Sequence, residues 1–373
     1  MLIQCTKKLL NQLKVDMGKQ MNEKPLFSWH ANLIRVNQRK TVILINDKNN
    51  YVIVLYGLKK NDFKQLDKHI IEAIQRTFAK EYINSKIVED FIASSPKISY
   101  TTTKNRSLVA RLNYACKNSK YFSELMNDDL IFQPAISRKL SHRLVGDDGE
   151  NDYMRPAEEM FEDIKNLSGR KNIFNCRAVR LTVTLNLEEH NVWRQLIVPF
   201  NITFRELHEI IQKAFNWHDY HLHEFYIFGS EVSEQFPFSY PGFEKEFKPV
   251  INLVSSKETL NYPEKGIPMK LEKIIKISEY LPAPIIYNYD YGDYWQHFIE
   301  VEEVIDDYDK NFPVCIDGEG KTPPEDVGGE EGYERFLKII KDKEHKQYEQ
   351  MINWGRRQGY SEFDIKKINN RLK

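Results

Sequence analysis

The stretch Arg177–Leu187, RAVRLTVTLNL, decides the fold of the second half of the chain. Val179, Leu181, Val183, Leu185 and Leu187 alternate with polar residues, so they leave one face of an extended strand, where successive side chains point to opposite sides. The polar turn LEEHN leads to VWRQLIVP, an antiparallel partner. Beyond it, Thr203 and Glu206 have the spacing of a capping box. Phe204, Leu207, Ile210, Ile211, Ala214 and Phe215 then form the apolar stripe of a helix. HLHEFYIFG reads as a further strand, and Met269–Ile275 as a helix turn or strand after a Pro/Phe/Gly-rich excursion from Gln235 to Pro249. Ile285–Tyr291 and Trp295–Val304 read as a hairpin across Gly292 and Asp293. Tyr333–Ile340 and His345–Trp354 are helical in pattern, and an apolar-poor tail follows. Strands interrupted by helices in irregular order predict an α+β domain, an antiparallel sheet flanked by helices, over residues 176–373.

Working outward toward the N-terminus, Leu33–Val36, Thr41–Ile45 and Tyr51–Tyr56 read as three strands of a meander. A helix follows from Asp62, with Phe63, Leu66, Ile70, Ile71, Ile74 and Phe78 at helical spacing. Further helical stretches contain Ile83, Ile87, Val88 and Phe91, then Leu108, Leu112 and Ala115. These predict a separate, smaller α+β domain over residues 1–125. Residues 126–175 read as a helical and loop connector, with RLVGDDGENDYMRP as an exposed loop and a short helix from Pro156.

The 373 residues carry equal numbers of acidic and basic side chains, but unevenly placed. Residues 1–125 hold 22 Lys/Arg against 10 Asp/Glu, and Glu300–Glu334 holds 13 acidic residues against Lys310 and Lys321. A basic half attracts nucleic acid or an acidic protein, or lies against its own acidic half. Four scattered cysteines (Cys5, Cys116, Cys176, Cys315) without a CxxC fit a reducing compartment. No signal-peptide core and no 18-residue apolar run occurs, so a cytoplasmic, non-membrane protein is expected. Dinucleotide, Walker, HExxH and GxSxG motifs are absent.

The chemistry-bearing residues concentrate in the second domain. In WHDYHLHEF, His221 and His223 stand two apart on one expected strand, so both imidazoles leave one face, a geometry suited to zinc or iron. His297 and Cys315 would complete a mixed tetrahedral set if hairpin and loops converge. Asp290, Asp293, Glu325 and Asp326 are the alternative ligands for a divalent ion, with a histidine as base. The bland readings stand beside these: packed, hydrogen-bonded histidines, solvated acidic loops, and Tyr287, Tyr289 and Tyr291 as ordinary core rings. Trp193, Trp217 and Trp295 read as packing residues, since basic residues do not interleave densely with them.

VWRQLIVPFNITFRELHEIIQKAFNWHDYHLHEF, then YDYGDYWQHFIEVEEV, then PVCIDGEGKTPPEDVGGEEGYERF resemble the plasmid open-reading-frame-three-like family, over about residues 176–370. LFSWHANLIRVNQRKTVILINDKNNYVIVLYGL resembles a small N-terminal domain of unknown function. The resemblance implies an α+β domain on an antiparallel sheet, in bacterial proteins mostly without an assigned function, some of them carried on plasmids or insertion elements. It also implies a shared cluster at Trp193, Trp217, His221, His223, Asp293, Trp295, His297, Glu325 and Asp326, with Gly292, Pro324, Gly328 and Gly329 as its scaffold. Relatives carry more cysteines in the loop that here reads CIDGEGKTPPEDVGG; Cys315 holds the first such position, while Thr322 and Val327 stand near others. That departure weakens the zinc set His221, His223, His297 and Cys315, so no cofactor is assigned, with zinc or another divalent metal as the candidate.

Two readings of function follow. The first is a soluble interaction or regulatory module associated with mobile genetic elements, with a nucleic acid or protein as partner. The alternative is a metal-dependent hydrolase or nuclease using the His/Asp/Glu cluster.

Overall fold

The computed structural model describes residues 1–14, 23–146, 153–229, 248–263 and 266–373. Its contacts divide the chain into two compact units, Met1–Asn175 and Cys176–Lys373. The centre of the loop expected between Arg143 and Pro156, and most of the excursion from Gln235 to Pro249, lie outside the described residues.

In the first unit, β1 (Leu2–Cys5), β2 (Ser28–Val36), β3 (Arg39–Asn46), β4 (Val52–Leu55) and β5 (Ser99–Thr102) form a mixed sheet in the order β4-β3-β2-β1-β5; α1 (Lys7–Leu13) follows β1, and β6 (Val145–Gly146) and β7 (Tyr153–Met154) pair as a separate two-stranded sheet. β1 runs parallel to both β2 and β5, and the meander β2–β3–β4 is antiparallel. The near-continuous apolar run of β3 has a physical reason: both faces of the sheet are covered. Val42 and Leu44 pack into one core, with residues of α2 (Leu66–Lys80) and α3 (Ser85–Ala93). Ile43 and Ile45 pack into another, with α4 (Arg106–Tyr121).

Residues 126–175, expected as a connector, complete these two cores instead. Helix α5 (Pro134–Ser141) buries Ile136 and Leu140 in the second. Helix α6 (Pro156–Ser168) buries Ala157, Met160, Phe161 and Ile164 in the first. The carboxylate of Glu81 is fully enclosed here. Glu81 accepts from Tyr51 Oη (3.2 Å), Arg138 Nε (3.0 Å) and His142 Nε2 (2.9 Å). Burial opposes its ionisation, but His142 and Arg138 outweigh that and hold the carboxyl down at about 2.

The second unit is one eight-stranded sheet with helices on its inner face. Its strands are β8 (Cys176–Leu185), β9 (Val192–Pro199), β10 (His223–Ile227), β11 (Ile251–Val254), β12 (Met269–Leu271), β13 (Ile285–Tyr289), β14 (Trp295–Tyr308) and β15 (Val314–Glu319). The order is β12-β11-β10-β13-β14-β8-β9-β15, antiparallel except for the β11–β12 edge. Val179, Leu181, Val183 and Leu185 all enter the core, as their alternation requires. Above them lies α7 (Phe204–Phe215), whose start is fixed by a complete capping box: Glu206 N–H donates to Thr203 Oγ1 (3.2 Å) and Thr203 N–H to Glu206 Oε2 (2.8 Å).

Helices α8 (Gly329–Lys341), α9 (Tyr348–Arg357) and α10 (Ile365–Leu372) follow. The expected tail is thus α10, capped by Asp364 and burying Ile368 and Leu372 against the same core. Its Asn369 side chain meets edge strand β15 with both amide atoms, accepting from Cys315 N–H and donating to Cys315 C=O at 2.8 Å each. Nearby, the buried Arg194 guanidinium lies between Phe215 (5.0 Å) and Phe363 (4.8 Å). It donates to Ala214 O, Glu319 O, Gly320 O and Thr322 Oγ1, tying the end of α7 to the loop after β15.

Candidate metal centre

Three adjacent strands set out the floor of the site. The register places His223 opposite Tyr289 and Tyr289 opposite Trp295, and in the next row Phe225 opposite Tyr287 and Tyr287 opposite His297. With a side-chain period of two, both rows face α7, which contributes His208 and Gln212 one turn apart. Three loops then converge: residues 216–222 after α7, 290–294 between β13 and β14, and 321–328 before α8.

The outer centre lies where these loops meet. His221 Nε2 is 2.9 Å from Asp326 Oδ1 and 3.5 Å from Asp290 Oδ2, and one ligand atom of each residue lies within 4.8 Å of the others. His221 is half-buried, Asp290 buried and Asp326 exposed, so the group opens to solvent on one side. Asp290 and Asp326 hold left-handed backbone conformations, φ 61° and 57°. Asn216, Asp219 and Tyr294, all in the same loops, are the other non-glycine residues of this unit with positive φ among the described residues. Such strain costs of order 1–3 kcal/mol per residue and concentrates where the fold holds side chains in an imposed geometry.

The inner centre is closed. His208 and His223 stack at 3.4 Å with planes 5° apart. Asp219 N–H donates to Gln212 Oε1 (3.1 Å), and Gln212 Nε2 donates to Tyr287 Oη (3.0 Å). That orientation leaves the Tyr287 hydroxyl proton for His208 Nδ1 (2.8 Å) and assigns His208 Nε2–H as donor to Asp219 Oδ1 (2.8 Å). Burial pushes His208 down to about 4, so the imidazole is neutral at neutral pH, as this ring of bonds requires. His223 Nε2 meets both Glu272 oxygens at 2.9 Å. Arg205 supplies the positive charge, 3.0 Å from Asp219 and 3.8 Å from Glu272. His208, Asp219 and His223 have ligand atoms within 4.8 Å of one another. Both centres are geometrically compatible with a divalent ion.

The structure separates the residues that the sequence grouped. His221 precedes β10 rather than lying on it, so the two histidines of the HxH pair enter different centres. His297 is enclosed at the floor beside Phe215 and Trp217, its Nδ1 3.3 Å from Tyr287 O, and burial pushes it down to about 3. Cys315 lies on β15 with its thiol toward Asp317 O (3.3 Å), and burial pushes it up to about 11. His221, His223, His297 and Cys315 therefore form no common ligand set among the described residues.

Of the acidic residues, Asp290 and Asp326 meet at His221, whereas the other two are struts. Asp293 accepts from Gly328 N–H (3.1 Å), and buried Glu325 accepts from His218 N–H (2.7 Å) and from Tyr289 Oη. Trp217 stacks on Tyr289 (5.1 Å) and Trp295 (6.2 Å) and donates to Pro323 O (3.0 Å). Trp193 stands apart on β9, its indole 3.3 Å from Glu319 Oε2. His208 and Gln212 do carry a sequence signal, being polar residues on the apolar stripe of α7. Glu272 carried none, because pairing of β11 with β12 delivers it from a segment without a motif.

Residues 177–371 match the family described as plasmid pRiA4b ORF-3-like protein, and residues 2–159 match a domain of unknown function (DUF6933). The uncharacterized protein y4hQ of Sinorhizobium fredii is 30% identical over 191 residues, 50% of this chain and 84% of that protein. A solved structure, a protein of unknown function (MM3350) from Methanosarcina mazei Go1, is 29% identical, covers 51% of this chain and 97% of its own, and superposes with a TM-score of 0.39.

Proposed function

Since the chain belongs to the plasmid pRiA4b ORF-3-like family through residues 177–371, we propose that this domain is a divalent-cation-binding module, with metal-assisted hydrolysis of phosphate esters as its chemistry. The observation that carries the reading is the convergence of His221, Asp290 and Asp326 from three loops. Among the described residues, neither carboxylate pairs with a lysine or arginine. The two carboxylates bring two negative charges, which a dication offsets, and the imidazole adds a nitrogen ligand atom. The mixed O/N donor set suits manganese, iron or zinc, and magnesium with more retained water. At the inner centre Arg205 already occupies the electrostatic role of a cation, so the outer centre is the better host.

A bound ion of this kind lowers the pKa of its water and polarises a phosphoryl oxygen. The protein's own contribution is orientation. Asp290 Oδ1 accepts from Gly292 N–H (2.8 Å), which fixes the carboxylate toward His221 with its second oxygen. Gln358 Nε2 approaches Asp326 Oδ2 at 3.4 Å and steadies the exposed member. An association with mobile elements rests on the family's description alone, and a nucleic-acid partner on the basic excess of residues 1–125 alone.

Calorimetric titration of the full chain with Mn2+, Zn2+ and Mg2+, alongside elemental analysis, tests the reading. One ion per chain is expected, with at least about tenfold loss of affinity in His221→Ala and Asp290→Asn. Binding that is absent, or indifferent to Asp290→Asn, overturns it. Ion-dependent cleavage of bis-p-nitrophenyl phosphate tests the hydrolytic part separately.

A further inference from the structure

The rim of the outer centre carries two rings that are not among its cation ligands. His218 and Tyr220, both exposed, stack with centroids 5.2 Å apart and planes 23° from parallel. Their backbone is nevertheless tied down. His218 N–H donates to the buried Glu325 (2.7 Å), and Tyr220 N–H donates to Tyr289 Oη (3.0 Å). Between them, Asp219 takes a left-handed φ of 59° and is held by His208 and Arg205. His218 Nε2 also donates to Arg357 O (3.2 Å), where α9 ends. The next residue, Gln358, reaches Asp326, which meets His221. The ring pair thus stands beside the cation ligands along two paths, through His221 in its own loop and through Gln358 to Asp326. Tyr220 is 68% exposed, so with His218 on one face of the ring the other face is open to solvent. Arg356 and Arg357 are exposed at the same helix end, and neither pairs with a carboxylate among the described residues.

We propose that this rim receives the nucleotide unit of a phosphate ester, the base stacking on Tyr220 and the phosphate turned toward His221, Asp290 and Asp326, a placement that rests on the outer centre as a cation site. A loop whose backbone is fixed while its rings stay in water presents a flat ligand with a surface already in place, at little ordering cost. Every base has a π-face, so such a platform separates nucleotides from sugar phosphates without choosing among bases. Guanidinium groups without a carboxylate partner favour the phosphate end.

Calorimetric titration of the full chain with AMP and with ribose 5-phosphate, each with and without saturating Mn2+, tests the base and the phosphate separately. AMP is expected to bind at least about tenfold tighter than ribose 5-phosphate in both conditions, and Mn2+ should tighten both ligands. Tyr220→Ala should bring AMP down to the level of ribose 5-phosphate, whereas Tyr220→Phe, which keeps the ring, should keep the preference. Equal affinity for the two ligands, or a preference that survives Tyr220→Ala, overturns the ring platform. A chain that binds Mn2+ but holds AMP no tighter for it overturns the placement of the phosphate. A chain that binds no Mn2+ yet prefers AMP through Tyr220 supports the platform and overturns the cation site alone.

Discussion

His208 of α7 and His223 of β10 lie face to face, ring centroids 3.4 Å apart. Two imidazolium ions would repel at that distance, and burial holds His208 neutral. The stack is therefore a feature of the neutral protein, and acid should undo it.

An imidazole in the unfolded chain takes its proton near 6.5, whereas His208 takes it near 4 and His297 near 3. The unfolded state binds more protons in the interval, so the stabilisation is complete above about 6.5 and drains away as pH falls toward 4 and below. Between pH 7 and pH 5 each histidine should account for about 2 kcal/mol of lost stability. Urea unfolding across that range measures it, and His208→Gln should flatten the pH dependence while lowering stability at pH 7.

Tyr289 serves two elements with one hydroxyl, donating to Glu325 and accepting from Tyr220 N–H at 3.0 Å. Tyr289→Phe leaves a buried carboxylate short of a donor and a backbone N–H short of an acceptor, at a cost of about 2–4 kcal/mol. Because residue 326 adjoins Glu325, cation affinity should fall along with the unfolding midpoint. Unchanged affinity would show that the outer centre stands without this support.

Gly332 is set by close approach rather than by conformation, since an added Cβ would lie 1.9 Å from Val327 O. Gly332→Ala must push the PPEDVGG loop away from α8 and should cost more than about 2 kcal/mol. It should also weaken cation binding without touching a ligand. Gly146→Ala, whose added Cβ meets nothing within 4 Å among the described residues, is the control and should be neutral in the same melting experiment.

Glu81 titrates near 2, against 4.5 for an ordinary glutamate, so its contribution is whole above 4.5 and lost as pH falls toward 2. Glu81→Gln leaves Arg138 and His142 without their counter-charge and should destabilise the first unit by about 3 kcal/mol. The acid limb of its unfolding curve should become shallower. An unaltered curve would mean that solvent, not Glu81, already balances Arg138.

The sequence resolved what repeats along the chain and missed what depends on distant pairing. The alternation of Val179 to Leu185 and the Thr203–Glu206 box are local, and both appear as read. The grouping of His221 with His223 failed because strand geometry begins only at His223. Glu272 and Asp219 were invisible as partners because a register and a left-handed turn bring them in. His297 and Cys315 were grouped with the ligands by residue type, but their environments are hydrophobic packing and an edge strand. The tail beyond Trp354 is poor in apolar residues, yet Ile368 and Leu372 on one side of α10 suffice when a core face awaits them.

The grip of Asn369 on Cys315 has a bearing on how the protein is made. β15 is the last strand of its sheet, and a bare strand edge is a template on which a second copy can add. One side-chain amide stands in for the missing neighbour, and it arrives late in the order of synthesis. Until α10 has docked, the growing chain carries an open seam, and a chain cut before residue 365 would keep it. Such a truncation should show up first as aggregation, before any change at the candidate metal centre is measured.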